Sequence, residues 1–88
     1  MANIRSAEKR ARQNVKRYER NRLLRTTART SIKRARAAIQ SGDSAAAQEA
    51  VAKAEIALDR AASKGAIHKN NASRRKGRIQ MAYNKAFA

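Results

Sequence analysis

The densest concentration of chemically capable side chains is the run His68-Lys69-Asn70-Asn71-Ala72-Ser73-Arg74-Arg75-Lys76-Gly77-Arg78. Arginine offers planar bidentate donors, lysine a mobile point charge, and asparagine and serine adaptable hydrogen bonds. That combination suits a phosphate-dense groove. Catalytic alternatives are thin. His68 is the only histidine and cysteine is absent, so neither a multi-histidine metal site nor a Cys-His pair can be assembled. Two readings of His68 stay open, a hydrogen-bonding or stacking contact to RNA and a surface residue at a helix start. Glu55 and Asp59 stand at i,i+4, a spacing that puts two acids on one helix face. With no other convergent groups beside them, a solvated face is expected. No glycine-rich phosphate loop occurs. The three aromatics, Tyr18, Tyr83 and Phe87, are too scattered for a base-stacking platform. Tyr83 is expected in the core. No enzyme, metal or cofactor is expected.

Charge along the chain points the same way. Residues 1–40 carry 13 Lys and Arg against Glu8 and Glu19, a net of +11. Residues 41–64 carry Lys53, Arg60 and Lys64 against Asp43, Glu49, Glu55 and Asp59, a net of −1. Residues 65–88 carry six cations and no acid. Two cationic segments therefore flank a nearly neutral one, and self-repulsion opposes compaction unless a polyanion takes up the charge. The apolar share of 42% is inflated by alanine, so the core is thin and no deep substrate pocket is expected. No stretch approaches the ~20 apolar residues of a membrane span. The N-terminus lacks an apolar signal core, which predicts an intracellular, cytoplasmic protein.

Helices must position these groups. Proline is absent and glycine occurs three times, so breaks are few. Ser41-Gly42-Asp43-Ser44 reads as a helix stop followed by N-cap residues, and Gly65 as a second stop. The expectation is one domain over residues 1–88, an all-α three-helix bundle with an extended N-terminal helix projecting from it. The helices should span about residues 6–40, 44–63 and 66–86. In the first, the heptad ladder Ile4, Ala11, Tyr18, Arg25, Ile32, Ile39 and its companion Ala7, Asn14, Asn21, Ala28, Ala35 hold at both ends and fail in the middle. A poorly optimised coiled coil is one reading. The preferred one is that only Leu24 onward packs and the preceding turns project with charge on every side, leaving residues 1–22 frayed until RNA orders them. The second helix has a clean stripe, Ala47, Val51, Ala54, Leu58 and Ala61. The third packs through Ile79, Ala82, Tyr83 and Ala86, with the run 68–78 polar on all faces.

The segments ANIRSAEKRARQNVKRYERNRLLR, SGD and IHKNNASRRKGRI together resemble the bacterial small-subunit ribosomal protein twenty family, across nearly the whole chain. Val15, Tyr18 and Gly77 depart from the family pattern. The resemblance implies a three-helix bundle that binds small-subunit (16S) ribosomal RNA directly, early in assembly, without catalytic activity. It places RNA contacts on Arg5, Lys9, Arg10, Arg12, Gln13, Asn14, Lys16 and Arg17, and on His68, Lys69, Asn70, Arg74, Arg75, Lys76 and Arg78. Arg20, Arg22, Arg25 and Arg29 continue that expectation along the first helix. Few protein neighbours, no membrane, no small-molecule substrate and no homo-oligomer are expected. A histone-like DNA-compacting protein is the alternative, and a membrane-active amphipathic peptide a more distant one.

Overall fold

The computed structural model describes residues 2–88. Met1, which falls within the expectations for residues 1–22 and 1–88, lies outside the described residues. Three helices follow one another: α1 (Ala2–Ser41), α2 (Ser44–Ser63) and α3 (Lys69–Ala86). No strand occurs among the described residues. At 1.5 Å per residue the 40 residues of α1 span about 60 Å, which accounts for the longest dimension of the 64 × 20 × 12 Å molecule. The radius of gyration is 17.4 Å, against about 12 Å for a compact domain of this length. A rod projecting from a small bundle explains the excess.

The first turn works as the sequence indicates. Gly42 adopts φ +82°, a left-handed conformation that costs a side-chain-bearing residue about 1–2 kcal/mol. Its N–H donates to the Ile39 carbonyl at 3.3 Å. Asp43 then caps α2, its Oδ1 accepting from the Ala46 N–H at 3.2 Å. The second turn departs from expectation: α3 begins at Lys69, not near Ala66. Gly65, at φ +77°, donates to the Ala62 carbonyl, and the Ala66 N–H donates to the Ala61 carbonyl at 2.8 Å. This pair of bonds is a Schellman closure of α2. It holds Ala66 buried and Ile67 half-buried in the turn, so these apolar residues serve the core without being helical.

The stripe expected for α2 is the one observed: Ala47, Val51, Ala54, Leu58 and Ala61 are all buried. Two small clusters form around it. Ala35, Val51, Ala54 and Ile79 make one, flanked by Ile32, Ile39, Ala50 and Tyr83. Ala28, Leu58 and Ala72 make the other, flanked by Ile32, Ala57, Ala62 and Ile67. Leu58 and Ile79 are the largest fully buried side chains, at 0% and 1% exposure. Alanine's small size lets the helices approach closely, while the clusters stay thin. On α3 the expected stripe is half right. Ile79 is buried and Tyr83 half-buried, but Ala82 and Ala86 are exposed. The stripe runs instead from Ala72 through Ile79 to Tyr83, a spacing of seven and four residues. The run 68–78 is therefore not polar on every face, because Ala72 packs beside Ala28 and Leu58.

Candidate nucleic-acid interface

Every side chain from Ile4 to Arg20 is exposed, and burial on α1 begins with half-buried Asn21 and Leu24. The expectation that packing starts at Leu24 holds to within one turn. Arg20 marks the junction: its Nη2 donates to the Lys64 carbonyl at 3.1 Å, tying α1 to the end of α2. That bond gives Arg20 a structural duty beyond the RNA contact expected of it.

Helical geometry sorts the projecting residues. At about 100° per residue, Arg5, Lys9, Arg10, Arg12, Gln13, Lys16 and Arg17 fall within an arc of about 160°. Ile4, Ala7, Ala11, Val15 and Tyr18 line the opposite side, with Asn14 beside them, and Glu8 and Glu19 sit at the boundary. Charge on every side, as read from composition, is thus corrected to one cationic face and one weakly apolar face. Tyr18 is exposed to 61% on the latter. Within the bundle all cations of α1 but one change sides, Arg34 keeping the bearing of Arg5–Arg17. Arg22, Arg25, Arg29, Lys33 and Arg36 cluster in an arc of about 80° that lies opposite the first. The core-facing residues Leu24, Ala28, Ile32, Ala35 and Ile39 lie between the two arcs and overlap the edge of the first, so that edge is turned inward in the bundle.

On α3 the expected contacts separate into distinct roles. His68 is the N-cap, its Nδ1 accepting from the Asn70 N–H at 3.1 Å. One ring nitrogen is thereby committed to starting the helix, as the helix-start reading held. Lys76 turns toward α2, where its Nζ meets Asp59 Oδ1 at 2.9 Å. The hydrogen bond that Lys76 donates to Asp59 and the negative charge of that carboxylate, with a smaller contribution from Glu55, raise the Lys76 pKa above its ordinary value. Lys76 is accordingly a tie between α3 and α2 before it is a phosphate contact. Arg74 and Arg78 are exposed on the outer face, Arg75 is half-buried at its edge, and Lys69 and Asn70 are exposed at the helix start. Lys85 joins the Arg74–Arg78 line, its spacing of eleven residues from Arg74 being the signal that the sequence reading did not use. Lys33 and Arg36, which were not among the expected contacts, continue the Arg22–Arg25–Arg29 line by helical spacing.

Among the described residues only two ion pairs form, Lys53–Glu49 at 3.3 Å and Lys76–Asp59. Neither involves an arginine, so each described guanidinium lacks a carboxylate partner. No group of three or more His, Cys, Asp or Glu side chains converges among the described residues, and no described helix is long and apolar enough to cross a membrane.

Known proteins resemble this chain in sequence. The family described as "Ribosomal protein S20" matches residues 2–84. A protein of Coprothermobacter proteolyticus named "Small ribosomal subunit protein bS20" is 51% identical over 87 residues, covering 99% of both chains. Its namesake in Legionella pneumophila (strain Corby) is 54% identical over 79 residues, 90% of each chain. That of Thermomicrobium roseum is 49% identical over 84 residues, 96% of this chain and 85% of the relative. Likeness of this extent covers the projecting half of α1, the bundle and the basic start of α3 alike, and on it the chain belongs to the ribosomal protein S20 family.

Proposed function

We propose that this protein is a structural, non-catalytic component of the small ribosomal subunit that binds 16S ribosomal RNA directly and stabilises its fold during assembly. It acts on the ribosome in the cytoplasm, with RNA as its principal neighbour. The observation that carries this reading is the placement of cations on opposite sides of one rod. The arc from Arg5 to Arg17 faces one way, and Arg22, Arg25, Arg29, Lys33 and Arg36 face the other, with Arg34 alone keeping the first bearing. A single continuous RNA surface engages one side only. Two RNA elements brought together by folding engage both, and the positive charge between them relieves their mutual repulsion. With so few aromatics, recognition rests on backbone geometry and not on a linear base code.

The test is binding to naked small-subunit RNA with duplex DNA as competitor, combined with footprinting. Preference for the folded RNA, with protections in at least two segments distant in sequence, is expected. If ~6–10 phosphates are contacted, affinity falls roughly 10³–10⁵-fold between 50 and 200 mM salt. Equal affinity for duplex DNA refutes the ribosomal reading in favour of a DNA-compacting role.

A further inference from the structure

Four arginines line one groove of about 280 Å³ between α1 and α3: Arg29 and Arg36 on the first wall, Arg75 and Arg78 on the second. Ile32 and Ile79 are its other lining residues. No acid takes part, and the two ion pairs of the described residues lie elsewhere. Like charges gathered without a counter-charge destabilise the free bundle, so the cluster calls for an anionic occupant. Half-buried Arg75 is already partly immobilised, which lowers the entropy lost on binding. Half-buried Ile32 and the core beneath it form the floor of the groove, with Ile79 itself buried.

We infer that this groove is a two-walled seat for the phosphodiester backbone of a single RNA strand, gripped from α1 by Arg29 and Arg36 and from α3 by Arg75 and Arg78. Arg29 and Arg36 are separated by about 10.5 Å along the axis, so the first wall reaches more than one phosphate along a strand. Guanidinium forks suit bidentate capture of phosphate oxygens. The seat adds Arg36 to the expected contacts and makes the two basic segments of the sequence one site. The RNA identity of the strand rests on the ribosomal reading above.

A double-mutant cycle tests it. Arg36→Gln and Arg78→Gln, both at exposed positions, are made singly and together, with helicity checked by circular dichroism. Affinity for small-subunit RNA is then measured at low salt. Each single change is expected to weaken binding by about tenfold or more. Because loss of either wall releases the strand, the double variant is expected to lose far less than the product of the two. Arg12→Gln, on the projecting half, is combined with Arg78→Gln as a control whose losses should multiply. Losses from Arg36→Gln and Arg78→Gln that multiply like the control, or the absence of loss from either, overturn the shared seat while leaving RNA binding as such intact. If the wild-type protein ignores the RNA, the ribosomal reading fails and inorganic sulfate decides the groove. A gain in melting temperature over chloride at equal ionic strength, larger in the wild type than in the double variant, supports an anion seat. Equal gains overturn it.

Discussion

Withholding RNA should unmask how little holds the first four turns of α1. No side chain between Ile4 and Glu19 bonds to the bundle, and the first tie is Arg20 to the Lys64 carbonyl. Local interactions must therefore decide whether these turns stay wound. Within residues 4–20, repulsive pairs at i,i+3 or i,i+4 are Arg5–Lys9, Lys9–Arg12, Arg12–Lys16, Lys16–Arg20 and Arg17–Arg20. Attractive pairs are Arg5–Glu8, Glu8–Arg12 and Lys16–Glu19. At ~0.2–0.5 kcal/mol each, the excess of repulsion opposes the helix by about 0.4–1 kcal/mol. No acid lies in the first turn to oppose the positive helix end, which forgoes a further ~0.3–1 kcal/mol. Good intrinsic formers such as Ala7 and Ala11 offset part of this. The balance is near zero, so amides of residues 6–16 should show protection of less than about tenfold. Amides from Val51 to Leu58 open only with the bundle. At ~0.05–0.15 kcal/mol per residue over the chain, their protection should be at least about a thousandfold. Hydrogen exchange read by mass spectrometry, with and without small-subunit RNA, measures both segments at once. Protection of residues 6–16 in free protein within tenfold of that at 51–58 would refute the reasoning.

The remaining predictions concern the bundle and its outer face. Leu58→Ala should cost about 2–5 kcal/mol, a large part of the total stability of so thin a core, and should abolish or sharply lower the cooperative thermal transition. Gly77 is helical with nothing within 4 Å of an added Cβ, so Gly77→Ala should stabilise by up to ~1 kcal/mol and raise the melting temperature by about 4–8 °C. The triple change Arg74→Ala, Arg75→Ala, Arg78→Ala should weaken RNA binding by several kcal/mol with helicity retained, and lost helicity with binding preserved contradicts the assignment. Asp59 raises the pKa of Lys76, so the stability from this pair is full below the ordinary lysine range and is lost as pH climbs through the raised value. Comparing melting curves of wild type and Lys76→Met should show a difference that vanishes at high pH and stays constant through neutrality.

Some of this architecture was plain in the sequence, for identifiable reasons. The α2 stripe was legible because an uninterrupted alanine-rich helix with one apolar face has a single way to bury it. The stop at Gly42 and the cap at Asp43 were legible because each uses local backbone chemistry. Misreading of the α3 start came from treating Ala66 and Ile67 as helix, when the Schellman bonds after Gly65 place them in the core as turn residues. Ala82 and Ala86 were favoured over Ala72 because apolar spacing alone does not reveal which face meets α2. Of the two open readings of His68, the helix-start one gains a capping bond to a backbone amide two residues away. The tie of Lys76 to Asp59 was not legible because its partner is supplied by another helix. The candidate interface was legible in residue type and not in direction, since composition counts charges without their angles.

An unbroken α1 turns residue number into phase. Each added residue rotates everything upstream by about 100° while lengthening the rod by only about 1.5 Å. A one-residue insertion near Glu19 would thus swing the Arg5–Arg17 side a quarter-turn and more away from its bearing, whereas seven residues would restore its heading at the cost of reach. Evolutionary tolerance of length in this stretch is expected to come in whole heptads, because what the rod transmits is an angle.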